Sequence, residues 1–260
     1  MILCLAQLSP CWNDPGLGLE KIRKFAVEAS QKDADLIVFP EQFLTGWDPD
    51  DTSFATKETG PLVGGMRDIA REAGIGIIGS FREESDNKPK NTCIAIGPDG
   101  DILAKYSKIH LFSPGGEDEH YLAGKDLGIF RYGSCKTGLA ICYDLRFSPL
   151  FQAYRDKGVE LMIVPSAWPS SRIKYLTLFT RSRAAEFQFF VASVNTVGPT
   201  PVDNYSGGTC IAGPDGTIRA CGSGNEELVY YDIREEEVKS IRANFPVYRD
   251  YSKTDYKSLK

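Results

Sequence analysis

The sequence has little of what most metal and nucleic-acid sites require. Its 260 residues include two histidines and seven scattered cysteines, none in C-x-x-C spacing, so a thiolate zinc site is not expected. The 30 lysines and arginines against 35 aspartates and glutamates form no dense basic stripe, which argues against a nucleic-acid partner. No apolar run approaches the ~20 residues of a membrane-spanning helix, so no membrane partner is expected either.

What remains is the composition of an ordinary globular domain. Hydrophobic residues make up 42% and charged residues 25% of the chain, both typical of folded domains. The length lies at the upper end of single-domain size, and we predict one domain over residues 1–260. The first residues indicate a strand rather than a signal peptide. An odd number of cysteines, mostly in apolar strands, suits a reducing cytoplasm.

Cys142 is the most informative of these cysteines. It closes an apolar run at residues 137–142, where a strand is expected to end and a helix to begin. A rigid sheet and the free N–H groups of a helix start would present a nucleophile well at this point. A lone thiol is nevertheless more often a small buried hydrophobe, so other segments must decide.

Two of those segments carry charged residues beside apolar runs. Glu41 follows the buried strand predicted at residues 35–39 and Pro40, a position that suits a general base, although a solvated loop glutamate would look the same. Lys108 precedes an apolar stretch, residues 109–112. A lysine partly withdrawn from water could stabilise developing negative charge, whereas a snorkelling lysine would keep its ammonium group in solvent.

Together the segments Phe39-Pro-Glu41, Tyr106-Ser-Lys108 and Ile141-Cys142-Tyr resemble, in order, the motifs of the nitrilase superfamily of carbon–nitrogen hydrolases. The resemblance implies a Glu–Lys–Cys triad that hydrolyses an amide through a thioester on Cys142 and releases ammonia, with no metal or organic cofactor. Either the thiolate is favoured by Lys108, or Glu41 takes the thiol proton during attack.

A fourth segment, residues 116–124, is similar to the one that carries a second active-site glutamate in that superfamily. Both Glu117 and Glu119 are candidates, and the spacing to Gly124 favours Glu117. For substrate binding we predict the backbone N–H of Tyr143, which would help Lys108 to hold the oxyanion.

Side chains that follow the second half's central strand complete the predicted site. Trp168 would form a pocket wall, and Arg172 could bind a substrate carboxylate. Core packing for the tryptophan and an exposed helix start for the arginine are the alternatives.

The pattern around Cys142 and at residues 168–172 resembles the omega-amidases most. That branch removes ammonia from the terminal amide of 2-oxo dicarboxylic acid monoamides, so the partners would be a small amide and water. An N-carbamoyl amide hydrolase or a nitrilase of the same superfamily stays open. So do a cysteine enzyme activated by His110 or His120 and a non-catalytic binding protein that retains the fold.

The chain contains two pairs of similar segments that suggest two similar halves. Residues 35–41 are echoed by 160–166, and the Gly-Pro-Asp-Gly turn at 97–100 is echoed at 213–216. Alternating strands and helices then predict an α/β fold, a four-layer α-β-β-α sandwich, which the resemblance also implies. The predicted helices are 17–31, 65–73, 147–157 and 172–187. The predicted strands are 2–8, 35–39, 75–82, 91–97 and 101–106 in the first half, and 129–132, 135–141, 160–164, 189–195, 207–212, 217–221 and 227–232 in the second.

The resemblance further implies a homodimer or higher homo-oligomer. The helices after Cys142 and at 172–187 would supply an apolar patch across a twofold axis, formed by Phe147, Leu150, Phe151, Tyr154, Tyr175, Leu178 and Phe179. The polar tail, residues 245–260, would dock against a neighbour or fray.

Overall fold

A computed structural model describes residues 1–251. In the N-terminal half its elements are β1 (Ile2–Gln7), α1 (Pro15–Ser30), β2 (Leu36–Val38), α2 (Pro61–Ala73), β3 (Gly76–Glu83), β4 (Lys90–Ile96), β5 (Ile102–Ser107) and α3 (Glu117–His120). The C-terminal half contains β6 (Gly128–Tyr132), β7 (Cys135–Leu139), α4 (Ser148–Asp156), β8 (Leu161–Ser166), α5 (Ile173–Phe187), β9 (Phe190–Asn195), β10 (Val197–Pro199), β11 (Asn204–Ser206), β12 (Cys210–Ala212), β13 (Ile218–Cys221), β14 (Glu227–Asp232), α6 (Glu235–Asn244) and α7 (Val247–Tyr251).

The helix boundaries follow from local capping chemistry. Asp14 accepts a hydrogen bond from the backbone N–H of Leu17 at 3.0 Å, which caps α1, and proline occupies the first turn of both α1 and α2, where it costs no hydrogen bond. The helix predicted at 65–73 begins four residues earlier, at Pro61. This helix contains Gly65, which faces α1. A Cβ at this position would lie 2.8 Å from the side chain of Leu19, so the glycine lets α1 and α2 approach closely.

Two six-stranded sheets share one strand order. The first runs β14-β1-β2-β3-β4-β5, and the second, taken from its other edge, runs β6-β7-β8-β9-β12-β13. In each, three central strands are parallel and the flanking pairs are antiparallel. Both Gly-Pro-Asp-Gly segments form the predicted hairpin turns, with Gly100 at φ +80° and Gly216 at φ +77°. The internal repeat of the sequence is thus a repeat of topology.

The assignment of strand 227–232 to the second half was wrong. β14 pairs antiparallel with β1, in register from Ile2 with Asp232 to Gln7 with Glu227, and so completes the first sheet. β6 fills the matching position beside β7. Without β14 the backbone groups of β1 would form an open edge, but no periodicity in the sequence says which sheet a late strand joins.

The sheets face each other and the helices cover their outer faces, as the four-layer sandwich requires. In β2, Leu36 and Val38 point into the core between the sheets with Leu139 of β7, whereas Ile37 points into the layer beneath α1 and α2. This alternation is the period of two that a strand imposes. The carboxyl ends of β2 and β7 meet at the rim of the inter-sheet core.

Several parts of the chain differ from the sequence predictions. The helices α6 and α7 and the hairpin β10–β11 were not predicted, nor was the short helix α3. The apolar patch was wrong in part, because Leu150, Phe151 and Tyr154 are buried in the chain's own core; Leu178, in contrast, is 52% exposed. The prediction for the tail falls partly on residues 252–260, which lie outside the described residues.

Candidate active site

Glu41 lies just beyond β2, in the rim between the two sheets. Its side chain is only 1% exposed. Oε1 accepts a hydrogen bond from Lys108 Nζ at 2.8 Å, and Oε2 accepts one from the backbone N–H of Ala167 at 2.9 Å. The next residue, Gln42, has φ +47°, an uncommon conformation for a residue with a side chain. The strand end is therefore turned sharply, and the carboxylate points inward.

Lys108 is buried between two carboxylates. It follows β5, its side chain is 1% exposed, and Nζ lies 2.8 Å from Glu41 Oε1 and 2.8 Å from Glu117 Oε2. Glu117 is fully buried and also accepts the backbone N–H of Phe112 at 2.7 Å. Glu119 is exposed. Of the two candidate glutamates, the structure thus brings Glu117 to the lysine.

Cys142 sits on a sharp turn at the same rim. It begins a 3-10 turn, Cys142–Arg146, which precedes the helix predicted at 147–157 and found as α4. Its φ of +44° is strained for a non-glycine residue. Asp144 braces the turn: Oδ2 accepts hydrogen bonds from Ile141 N at 3.0 Å and Tyr106 Oη at 2.7 Å. The backbone therefore holds the thiol in place, and the first N–H groups of the turn lack acceptors within it.

The electrostatics of the cluster keep the thiol protonated at rest. Burial and the nearby Glu41 carboxylate raise the pKa of Cys142 well above its ordinary value, although Lys108 acts in the opposite direction. Burial alone would lower the pKa of Lys108, but Glu117 and Glu41 raise it well above its ordinary range. Burial would raise the pKa of Glu117, yet Lys108 and Asn91 hold it below its ordinary value. A neutral thiol thus faces an ion-paired lysine.

The sequence analysis missed Asn91, which begins the inner face of β4. Its Nδ2 lies 2.7 Å from Glu41 Oε1 and 3.0 Å from Glu117 Oε1, and its side chain is fully buried. The signal that could have found it is a polar residue two positions before Cys93 and four before Ala95, both of which face the core between the sheets.

A pocket opens above the cluster. The predicted binding residues Tyr143, Trp168 and Arg172 all line it, together with Glu41, Lys108 and Cys142. Residues that were not predicted complete the wall, namely Trp47, Phe112, Arg146, Ala167, Pro169, Asp203 and Tyr205. The unpredicted hairpin β10–β11 brings Tyr205, and its turn brings Asp203.

Two arginines line this pocket without an acidic partner among residues 1–251. The guanidinium of Arg146 lies 5.2 Å from the ring centroid of Trp168 and 5.1 Å from that of Phe179. That of Arg172 lies 5.2 Å from the ring of Phe112. Guanidinium groups that stack on aromatic rings and form no ion pair are available to an anionic ligand.

Neither histidine lines the pocket with Cys142. His110 Nδ1 lies 2.8 Å from Asp144 Oδ1, and the ring stacks on Phe147 with centroids 3.8 Å apart. His120 Nε2 lies 3.4 Å from the exposed carboxylate of Asp50. These contacts give no support to a cysteine–histidine pair.

Metal-ligand clusters and membrane-spanning helices are both absent from residues 1–251. No group of three or more histidine, cysteine, aspartate or glutamate side chains there is arranged to hold a metal ion. Within the same residues no helix combines the length and apolar composition needed to cross a membrane.

Comparisons with known proteins converge on one family. The model of the carbon–nitrogen hydrolase family matches residues 3–243. Omega-amidase NIT2 of Xenopus tropicalis is 34% identical over 89% of this chain and 88% of its own. The 2-oxoglutaramate amidase of Bacillus subtilis is 30% identical over 98% of both chains.

A solved structure carries the comparison to the fold. XC1258 of Xanthomonas campestris, a CN-hydrolase superfamily protein with an arsenic adduct in its active site, superposes with a TM-score of 0.90. It is 28% identical, and the match covers 100% of this chain and 99% of that one. The structural similarity to this protein therefore extends over essentially the whole fold.

Proposed function

The chain belongs to the carbon–nitrogen hydrolase family, and we propose that it is an omega-amidase that hydrolyses the terminal amide of a 2-oxo dicarboxylic acid monoamide. The observation that carries the proposal is the buried cluster at the floor of the pocket, where Lys108 Nζ lies 2.8 Å from both Glu41 and Glu117 beside the Cys142 turn. Relatives of this chain are named as amidases, and we assign the residue roles from the geometry of the site.

In the first half-reaction, Cys142 attacks the amide carbon. Because the thiol is protonated at rest, Glu41 takes its proton as the sulfur–carbon bond forms. The sequence left two routes open, a thiolate stabilised by Lys108 and proton transfer to Glu41, and the electrostatics of the site favour the second. The carbonyl oxygen becomes an oxyanion, which accepts hydrogen bonds from the ammonium of Lys108 and the backbone N–H of Tyr143. One such donor is typically worth about 3–4 kcal/mol.

Collapse of the tetrahedral intermediate breaks the carbon–nitrogen bond. Glu41 donates its proton to the leaving nitrogen, ammonia departs, and a thioester joins the acyl group to Cys142. Glu41 then removes a proton from water, which attacks the thioester. The acid leaves, and the proton returns to the thiol. Glu117 orients Lys108 throughout, and water is the only co-substrate that the amide requires.

The pocket's charge supports an anionic amide as substrate. A 2-oxo dicarboxylic acid monoamide has a free carboxylate at the end opposite its amide. Arg172 and Arg146 offer unpaired guanidinium groups on the pocket wall, and guanidinium binds carboxylate in a bidentate manner. Trp168 packs beside them, with Nε1 donating to the backbone oxygen of Arg172 at 2.9 Å, so its ring would wall the carbon chain.

The test is ammonia release from a panel of candidate substrates. It contains 2-oxoglutaramate, 2-oxosuccinamate, glutamine, a simple aliphatic amide, an N-carbamoyl amino acid and an aliphatic nitrile, each measured with wild type and Cys142→Ala. We expect the 2-oxo amides to be hydrolysed fastest and all activity to vanish in the variant. Cys142-dependent hydrolysis of another member would move the substrate to the carbamoyl or nitrile branch. No activity on any member would favour a binding protein.

A third protein, Arg172→Met, separates recognition from chemistry. We expect it to raise KM for the 2-oxo amides and to leave hydrolysis of the simple aliphatic amide unchanged, since that substrate has no carboxylate. Arg181→Met is the matched control, because Arg181 lies on α5 and donates to the backbone oxygen of Gly216 at 3.0 Å. An equal loss on both substrates would contradict the assignment of Arg172.

The quaternary state and the cellular compartment belong to the same proposal. Residues 1–260 would form a single domain, since β14 returns to the first sheet. Exposed Leu178 on α5 supports a homodimer or higher homo-oligomer, which light scattering of wild type and Leu178→Lys would test. All seven cysteines fall within the described residues, and all are free thiols, which supports a reducing cytoplasm.

A further inference from the structure

Asn91 contacts all three charged residues of the buried cluster, Glu41, Glu117 and Lys108. Its Nδ2 donates to Glu41 Oε1 at 2.7 Å and to Glu117 Oε1 at 3.0 Å. Its backbone oxygen accepts the N–H of Lys108 at 2.8 Å. One fully buried residue on a rigid strand therefore connects elements that are 26 and 50 residues away in the chain.

The charge balance of the cluster creates a need for such a donor. Two carboxylates share one ammonium, and all three side chains are at most 1% exposed. The two oxygens that Asn91 contacts, Glu41 Oε1 and Glu117 Oε1, also both accept from Lys108 Nζ, at 2.8 Å and 3.1 Å. Like charges this close destabilise each other in a low dielectric. A neutral group with two N–H donors relieves that repulsion without adding a charge.

The oxygen of the same side-chain amide shows that Asn91 serves as a hydrogen-bond donor rather than as a packing residue. Asn91 Oδ1 is buried and has no hydrogen-bond partner among the described residues. An unsatisfied buried acceptor costs free energy that an apolar side chain would avoid. Turning the amide over would place Oδ1 against two carboxylates, so its orientation is settled by the cluster. Only the two N–H groups give this residue a benefit that offsets the cost.

The contacts also distinguish the two oxygens of Glu41. Oε1 has two donors, Lys108 and Asn91, while Oε2 has one, the backbone N–H of Ala167. A carboxylate oxygen accepts about two hydrogen bonds. Oε1 is therefore saturated, and the remaining lone pair of Oε2 is the one available for a proton.

We propose that Asn91 is a positioning residue of the reaction, whose two amide N–H groups hold Glu41 Oε1 and Glu117 Oε1 and so leave Glu41 Oε2 as the atom that receives the proton of Cys142. This inference rests on the proposed function, in which Glu41 is the base. Asn91 acts through the carboxylates and has no contact with the substrate in this scheme.

The experiment compares Asn91→Ala and Asn91→Asp with wild type on the best amide of the panel, over a range of pH. In Asn91→Ala we expect kcat to fall about 10- to 100-fold, the range for loss of a hydrogen bond to a charged group, while KM changes less than about threefold. The loss should grow toward acid pH, because Asn91 is one of the groups that hold the pKa of Glu117 low.

The Asn91→Asp variant should shift the profile in the opposite direction. When protonated, the carboxyl group that this substitution introduces can still donate one hydrogen bond, but its ionised form adds a third carboxylate to the cluster. Activity should therefore fall toward alkaline pH in Asn91→Asp and toward acid pH in Asn91→Ala. A purely structural role for the residue would not produce profiles of opposite slope.

Thr92→Val is the matched control on the same strand. Thr92 is fully buried, but its hydroxyl contacts Glu83 at 2.8 Å and Ser107 at 2.9 Å, away from the cluster. We expect it to lower the thermal midpoint and leave kcat and its pH profile unchanged. Wild-type kcat in Asn91→Ala, or a loss there that is equal at every pH, would overturn the positioning role and leave the proposed function intact. Hydrolysis that survives in Cys142→Ala would overturn both.

Discussion

The carboxyl ends of β2 and β8 occupy matching positions in the two sheets and contribute to the site in different ways. Each is the middle of three parallel strands, and each is marked by a proline, Pro40 and Pro165. The first continues into Glu41, whose side chain faces the thiol. The second continues into Ala167, which supplies only a backbone N–H to that carboxylate at 2.9 Å. Of the two similar strand ends, one thus contributes a side chain to the site and the other a backbone N–H.

The two ends also hold each other directly. Glu41 N donates to Ser166 O at 3.4 Å, and Ala167 N donates back to Glu41 Oε2. Because one hydrogen bond uses main chain on both sides, the distance between the sheets is tied to the position of the carboxylate. The second strand end thus supports the Glu41 carboxylate through its main chain. That role requires a backbone N–H, and the identity of the side chain matters little.

Breaking the first strand end should have the largest effect. Glu41→Gln keeps the size of the side chain but removes the base, and we expect kcat/KM to fall by about 10²–10⁴-fold, the usual contribution of general acid–base catalysis. Steady-state ammonia release measures it, and the thermal midpoint checks that the fold survives. Activity within tenfold of wild type would show that another group takes the proton.

Breaking the second end should cost less and should depend on the backbone alone. Ala167→Pro removes the N–H that Glu41 Oε2 accepts, and we expect a fall in kcat/KM of about 10- to 100-fold, as for loss of a hydrogen bond to a charged group. Ala167→Gly retains the N–H and should stay within about threefold of wild type. Equal losses in the two variants would mean that the alanine methyl group, and not its N–H, supports the site.

The smallest expected effect is on the ionisation of the Cys142 thiol, which lies beside both strand ends. Since burial and the Glu41 carboxylate raise the pKa of Cys142 well above its ordinary value, the thiolate should be absent at neutral pH. Absorbance at 240 nm, taken as the difference between wild type and Cys142→Ala, should therefore stay flat through about pH 9. Removing the carboxylate in Glu41→Gln removes one cause of the raised pKa, so the thiolate signal should appear at a lower pH than in wild type. A thiolate signal at pH 7 in wild type would contradict the protonated resting state.

The candidate site was predictable where a side chain stands out against an apolar run. Glu41, Lys108 and Cys142 each follow a strand that the sequence marks clearly, and the structure brings all three to one pocket. Asn91 and Arg146 were missed or undervalued for a different reason. Their importance lies in which neighbours they meet from the other strands, and those neighbours are far away in the chain.

The fold shows the same division between local pattern and distant pairing. The two similar halves and the Gly-Pro-Asp-Gly hairpins came from local repeats. The destination of β14 did not, since any apolar strand can pair with either sheet edge and the free edge of β1 decides. The predicted dimer patch was wrong in part for a related reason. Phe151 and Tyr154 on α4 are buried in the core of the chain itself. Helical spacing shows that a helix has an apolar face, but not whether that face packs on the same chain or on a partner.

By itself, the sequence determined most of the strands and helices, the family resemblance and the residue types able to carry amide hydrolysis, because these depend on periodicity, turn chemistry and short motifs that are local in the chain. The tertiary structure decided the protonation of Cys142, the choice of Glu117 over Glu119 as the partner of Lys108, the role of Ala167 as a backbone donor and the pocket walls. Each of these depends on burial and on distances between residues that only folding brings together, and a charge changes its behaviour most when water is removed from around it.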